Sequence, residues 1–256
     1  MSDKATIITQ FQFANGDEQA LPQLLNGEPA LTTDSEKLYI GVNGVNKEIA
    51  FKDNLESEYI KKSKLYKKVW CVLGDSVTAY ALGYVKHISE KYSMTAFNHS
   101  YVGRCIAKQN GFCTGYTDME DYADIVTVMG GINDINMGVT LGTMDDRSIT
   151  TFYGSLHVLC QGLLNKYLGK KIGFILFPQI PKWAPDNSNV LSYQNAIKKV
   201  CAYYGIKVFD FYSESGLCPN IIEAQATNYF RDDTHPNEQC YHDYFDDPIA
   251  NFMEGL

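Results

Sequence analysis

The apolar positions of this chain change rhythm near residue 65. Beyond it, short runs of β-branched and aromatic residues alternate with stretches whose apolar positions recur at helical spacing. Residues 69–73, 94–97, 125–129, 172–177 and 207–211 read as five strands. Residues 78–92, 148–168 and 189–204 read as helices, and the tail from 237 to 253 as a last helix. This alternation predicts a parallel sheet covered by helices on both faces. In such sheets ligands bind outside the carboxyl ends of the strands.

Residues 1–64 follow another pattern. They are polar and carry no long helix-period stretch. Asn15-Gly16, Asn26-Gly27 and Asn43-Gly44 are turn signals, and residues 38–42 form a short strand candidate. A β-rich segment this small buries little core alone and calls for a partner chain. Residues 53–68 read as a charged linker with room for a short helix, its lysines on a solvated face. The expected organisation is therefore a β-rich appendage and linker over 1–64 and an α/β domain over 65–256.

Charge and cysteine content narrow the function classes. The 256 residues suit one ordinary domain plus a small appendage. A formal net charge of −8 argues against nucleic acid and anionic membrane surfaces as main partners. No apolar run reaches the length of a bilayer span. The start, Met1-Ser2-Asp3-Lys4, does not read as a secretory signal, so synthesis in a reducing cytoplasm is expected. The seven cysteines (71, 105, 113, 160, 201, 218 and 240) are odd in number and show no C-x-x-C spacing. They read as reduced, mostly buried thiols. His and Cys do not cluster along the sequence, so neither a metal site nor a cofactor is expected.

Four short blocks carry candidate chemistry. Gly74-Asp75-Ser76 follows the first strand and opens a helical stretch, where the Ser76 N–H and the helix dipole can face a developing oxyanion. Asn98 to Gly103 follows the second strand, and a glycine there lets the backbone approach a ligand. Gly131-Ile132-Asn133-Asp134 follows the third strand and can project the Asn133 amide, a good oxyanion donor. Asp232-Asp233-Thr234-His235-Pro236 places a carboxylate three residues before an imidazole. That spacing lets Asp232 hold one ring nitrogen and leaves the other free to take the Ser76 proton. Pro236 suits the first position of the last helix. Each block alone also reads as a cap, a turn or a surface histidine. His87, His99, His157 and His242 show no such carboxylate spacing. Asp75, Asp134 and Trp183 are candidate substrate contacts, with Trp183 placed to stack on a sugar or to pack on the body.

Together the blocks resemble the SGNH/GDSL hydrolase family over about residues 67–256. The resemblance implies a flavodoxin-like α/β/α sandwich with a central parallel five-stranded sheet, in agreement with the strand–helix reading. It implies Ser76 as nucleophile, His235 as general base and Asp232 as its orienting partner. It further implies an oxyanion hole from the Ser76 and Gly103 N–H groups and the Asn133 side chain. One departure is Cys240-Tyr241-His242-Asp243-Tyr244-Phe245, more polar and aromatic than usual in the last helix.

Residues 24–30 and 33–41 resemble a short β module of phage tail-fibre and baseplate proteins, which implies a trimer-forming or attachment element and assembly into a virion. The combined expectation is a metal-independent serine esterase that removes small acyl groups, such as O-acetyl groups of a glycan. The alternatives are a non-catalytic tail or receptor-binding protein with a hydrolase fold, and a lipid or thioester hydrolase.

Overall fold

The computed structural model describes residues 14–49, 52–108, 111–183 and 187–256. The chain divides into two compact units, Met1–Tyr59 and Ile60–Leu256.

The first unit holds a four-stranded sheet of β1 (Ala14–Gly16), β2 (Pro29–Thr32), β3 (Leu38–Val42) and β4 (Val45–Ile49), in that spatial order. β2, β3 and β4 are antiparallel, and β1 lies parallel to β2. Val42 pairs with Val45, so Asn43 and Gly44 alone make the β3–β4 turn. Their φ values of 50° and 74° are those of a turn that requires the left-handed region twice, hence Asn-Gly. The core of this unit is small: Leu24, Ala30 and Tyr39, with Leu21 against them. The helix Lys52–Lys62 occupies much of the predicted linker.

The second unit is built on β5 (Val69–Gly74), β6 (Thr95–Asn98), β7 (Ile125–Met129), β8 (Lys171–Ile175) and β9 (Lys207–Phe209). All four pairings are parallel, and the order is β6-β5-β7-β8-β9. β7 is buried at every position; its run is apolar except for Thr127, whose hydroxyl accepts the Trp70 Nε1–H at 2.9 Å. The chain runs from β5 to β6 on one side and then crosses to β7 on the other. The crevice of this topology therefore opens at the carboxyl end of β5, directly before Ser76. Among the described residues no helix is long and apolar enough to cross a membrane.

Three predicted elements are adjusted by local chemistry. The helix expected over 78–92 begins only at Tyr84, because Asp75 O accepts the Thr78 and Ala79 N–H groups in a separate turn. The fifth strand ends at Phe209, and Phe211, fully buried, starts a helical turn capped by Asp210. The C-terminal helix is capped by Asn237, not opened by Pro236, which forms an isolated bridge with Phe230. It then widens into a π turn at Tyr241–Phe245 before Asp246–Glu254. Of the aromatic residues unusual in the sequence, two belong to the core and Tyr244 packs half-buried against it. Tyr241 and Phe245 are fully buried and pack on Tyr84.

Candidate active site

The turn after β5 is set by close packing. A Cβ on Gly74 would lie 2.4 Å from Thr78 Cβ and 2.8 Å from Ser100 Oγ, so only glycine fits. Asp75 is buried beneath the turn, and its Oδ1 accepts the Val77 N–H at 3.0 Å. Burial pushes the Asp75 carboxyl up to about 7; the Val77 N–H opposes this and the negative charge of Asp134 adds to it. Tyr241 donates its hydroxyl to Val77 O at 2.6 Å, which ties the C-terminal segment to the same turn. Ser76 is left half-buried, its side chain turned toward His235.

His235 is carried on a hairpin closed by the Phe230–Pro236 bridge. Arg231 N–H donates to His235 O at 2.8 Å, and Lys182 N–H donates to Asp233 O at 2.9 Å. Asp232 folds back on its own loop. Its Oδ1 accepts the Thr234 N–H at 2.8 Å and the His235 N–H at 2.7 Å. The His235 ring places Nδ1 2.8 Å from Asp232 Oδ2 and 3.0 Å from Oδ1. The carboxylate thus holds the proton on Nδ1 and leaves Nε2 as the acceptor. Nε2 lies 2.9 Å from Ser76 Oγ. Burial disfavours ionised Asp232, but the His235 ring and the two backbone N–H groups outweigh it and hold the carboxyl below its ordinary range.

The two remaining blocks meet each other beyond the ends of β6 and β7. Gly103 has φ 75°, a left-handed conformation, and a Cβ there would meet open space. Neither the Ser76 nor the Gly103 N–H has an acceptor among the described residues. Asn133 donates one amide hydrogen to Arg104 O at 3.0 Å, which leaves the second available. Gly131 has φ 123°, and a Cβ on it would lie 2.9 Å from Phe177 Cε1. Asp134 is buried and accepts the Ile106 and Ala107 N–H groups at 2.7 and 2.9 Å. The loops after β6 and β7 are therefore joined by two adjacent side chains, Asn133 and Asp134. Asn98 joins the β6 end to the nucleophile turn by donating to Thr78 O at 3.1 Å.

An open cleft of about 300 Å³ adjoins this arrangement, lined by Ser76, His235, Ala79, Tyr80, Val102 and Arg231 among others. The sequence profile of the GDSL-like lipase/acylhydrolase family matches residues 72–242, a span that contains every element of the cleft. The chain belongs to this family. Its members are serine ester hydrolases. No curated protein matches the sequence. Solved structures match about three quarters of this chain over nearly the whole of their own. A protein from Lactobacillus plantarum is 26% identical, with a TM-score of 0.66, covering 74% of this chain and 96% of its own. An alpha/beta hydrolase enzyme from the metagenome of Lake Arreo, Spain, is 17% identical, with a TM-score of 0.54 over 74% and 96% of the two chains. An acetylxylan esterase from Geobacillus stearothermophilus, as a catalytic mutant, is 14% identical, with a TM-score of 0.52 over 75% and 95%.

Within the GDSL fold, the three candidate substrate contacts are all buried. Asp75 and Asp134 are 1% and 0% exposed and bond to backbone N–H groups, so they brace the loops. Burial lifts the Asp134 carboxyl to about 6, against the Ala107 and Ile106 N–H groups. Trp183 is 7% exposed and packs edge-on against Phe177, with ring centroids 5.7 Å apart; it takes the packing role and does not line the cleft.

The histidines without carboxylate spacing in sequence find partners in space. His99 meets Glu120 at 2.7 Å, and His87 and His242 share Asp246 at 2.9 and 3.0 Å. His157 lies between Tyr204 and Met144 O. Potential metal ligands also converge at Cys71, His99 and Glu120, and at His87, Glu238 and His242. Neither set includes Ser76, Asp232 or His235. Sequence reading missed Arg231 and Tyr80 as cleft residues. No motif marks them, and only the hairpin and the turn after β5 bring them together.

Proposed function

We propose that Ser76 is the nucleophile of a metal-independent esterase, with His235 as general base and Asp232 as its orienting partner. The observation that carries this reading is the 2.9 Å approach of His235 Nε2 to Ser76 Oγ. Ser76 Oγ attacks the ester carbonyl while its proton passes to Nε2. That proton then goes to the departing alcohol. A water molecule, deprotonated by Nε2, attacks the acyl-enzyme and releases the acid. The unpaired Ser76 and Gly103 N–H groups and the second Asn133 hydrogen would receive the oxyanion.

The substrate in this reading is a small acyl ester, foremost an O-acetyl group on a carbohydrate. The small cleft, with alanine at positions 79 and 81, supports a short acyl group over a long lipid chain. The fold likeness to an acetylxylan esterase agrees with it. Acetate release from a panel of acetylated glycans, with Ser76→Ala as control, tests the reading. A preference for long acyl chains would favour the lipid alternative. Absence of Ser76-dependent turnover would favour the binding protein.

The N-terminal unit is, in the same proposal, a trimer-forming attachment element of a phage-type particle that presents the esterase to a host-surface glycan. Besides the sequence resemblance, an apolar face supports it. Leu31, Leu38 and Ile49 lie in register across β2, β3 and β4, and Leu31 and Ile49 are 39% and 37% exposed.

A further inference from the structure

Arg231 stands at the cleft as a cation with no counter-ion among the described residues. Its guanidinium lies over the Tyr80 ring at 4.1 Å, and Tyr80 itself stacks on buried Tyr241. Its Nε donates to Pro236 O at 2.9 Å, and its backbone N–H to His235 O at 2.8 Å. The guanidinium is thus held at its Nε edge and against one face, on the hairpin that carries His235. No carboxylate lies within ion-pair distance of it among the described residues. Its terminal nitrogens have no hydrogen-bond acceptor among those residues either. Ser76, His235, Tyr80 and Arg231 line the same cleft.

The two carboxylates nearest Arg231 in sequence do not pair with it. Asp232 and Asp233 are its immediate neighbours in sequence, yet both are engaged elsewhere: Asp232 with His235, and Asp233 with the Thr234 hydroxyl. The two terminal nitrogens of a guanidinium form a fixed fork that matches the paired oxygens of a carboxylate or phosphate. The Tyr80 face and the Pro236 carbonyl pre-set that fork, so little side-chain entropy is lost on binding.

We infer that Arg231, seated on Tyr80, is an anion subsite, and that the preferred ester carries an anionic group on its alcohol side. This inference rests on the proposed esterase reading and gives it a substrate class: acyl esters of acidic sugars or similarly charged alcohols. Arg231 is a specificity residue here and takes no part in proton transfer.

The test compares three acetyl esters of one shape with the full-length protein. They are the neutral methyl 4-acetoxybenzoate, 4-acetoxybenzoate, and 4-acetoxyphenyl phosphate. The wild type should favour an anionic arm in kcat/KM by roughly ten- to a hundredfold, mostly through KM, as a charged hydrogen-bonded contact would give. The preference should shrink with added salt. Arg231→Gln should abolish it and Arg231→Lys should keep part of it. The carboxylate and phosphate arms separate the two anion sources. Equal turnover of all three esters by the wild type would overturn the inference, as would an Arg231→Gln protein slowed to the same degree on every arm. Failure of the esterase reading itself would look different: no Ser76-dependent turnover of even the neutral ester.

Discussion

His235 Nε2 and Ser76 Oγ lie 2.9 Å apart although 159 residues separate them in sequence. The contact is held from both sides. The Ser76 turn is packed against Thr78 and Ser100 and anchored by Tyr241, while the His235 hairpin is closed by its bridge and by Lys182. Two rigid supports, rather than a flexible loop, therefore set the distance across which a proton would pass.

If the two residues act as a unit, their removal will not be additive. Ser76→Ala and His235→Ala should each lower kcat on 4-nitrophenyl acetate by at least ~10³-fold. The double variant should be little worse than either. Additive losses, measured by burst and steady-state kinetics, would show that the residues work independently.

Asp232 is half-exposed and does two jobs, holding the His235 ring and two backbone N–H groups of its loop. Asp232→Asn should preserve the loop bonds through its carbonyl oxygen while favouring the wrong imidazole tautomer. A fall in kcat of roughly 10²–10⁴-fold with nearly unchanged Tm is expected. A matching loss of Tm would instead mean that the loop had collapsed.

Asn133→Ala removes an oxyanion donor in the proposed mechanism and a link to Arg104 O. The expected cost is about 2.7–4 kcal/mol of barrier, expressed in kcat more than KM. Unchanged kcat would remove Asn133 from the oxyanion hole.

Asp75 makes stability depend on pH. Its folded carboxyl is raised to about 7, above an unfolded value near 3.8, so the folded state binds the extra proton. The cost of ionising it is absent below the unfolded value, grows as pH rises, and is complete above about 7. Asp75→Asn mimics the protonated form. Between pH 5 and 8 its Tm should fall less than that of the wild type, by a few degrees at about pH 8. Identical pH slopes in calorimetry would show that Asp75 does not titrate in this window.

The apolar face of the N-terminal sheet predicts self-association. Light scattering of the full chain should return three times the 28.8 kDa protomer mass. Leu31→Lys with Ile49→Lys should return the monomer without loss of esterase activity. A monomeric wild type would remove the trimer proposal.

Much of this protein was legible from its sequence because the signals are local. The central strands were readable because a parallel strand buried on both faces needs a nearly continuous apolar run, as at Ile125–Met129, where Thr127 is the one polar residue. The Asn43-Gly44 turn was readable because two successive left-handed residues demand that pair. The Asp232 and His235 contact was readable because three residues of spacing already bring the groups together. What lay beyond the sequence depends on distant parts of the chain meeting. Burial turned Asp75 and Asp134 from apparent cleft carboxylates into loop braces, and Trp183 into a packing residue, because side chains are assigned to core or solvent only when layers close. The same closure brought His87 to Asp246, and seated Arg231 on Tyr80 in the cleft that Ser76 lines. Local pattern fixes elements and their own turns; which face a side chain ends on, and what it meets there, is decided by tertiary packing alone.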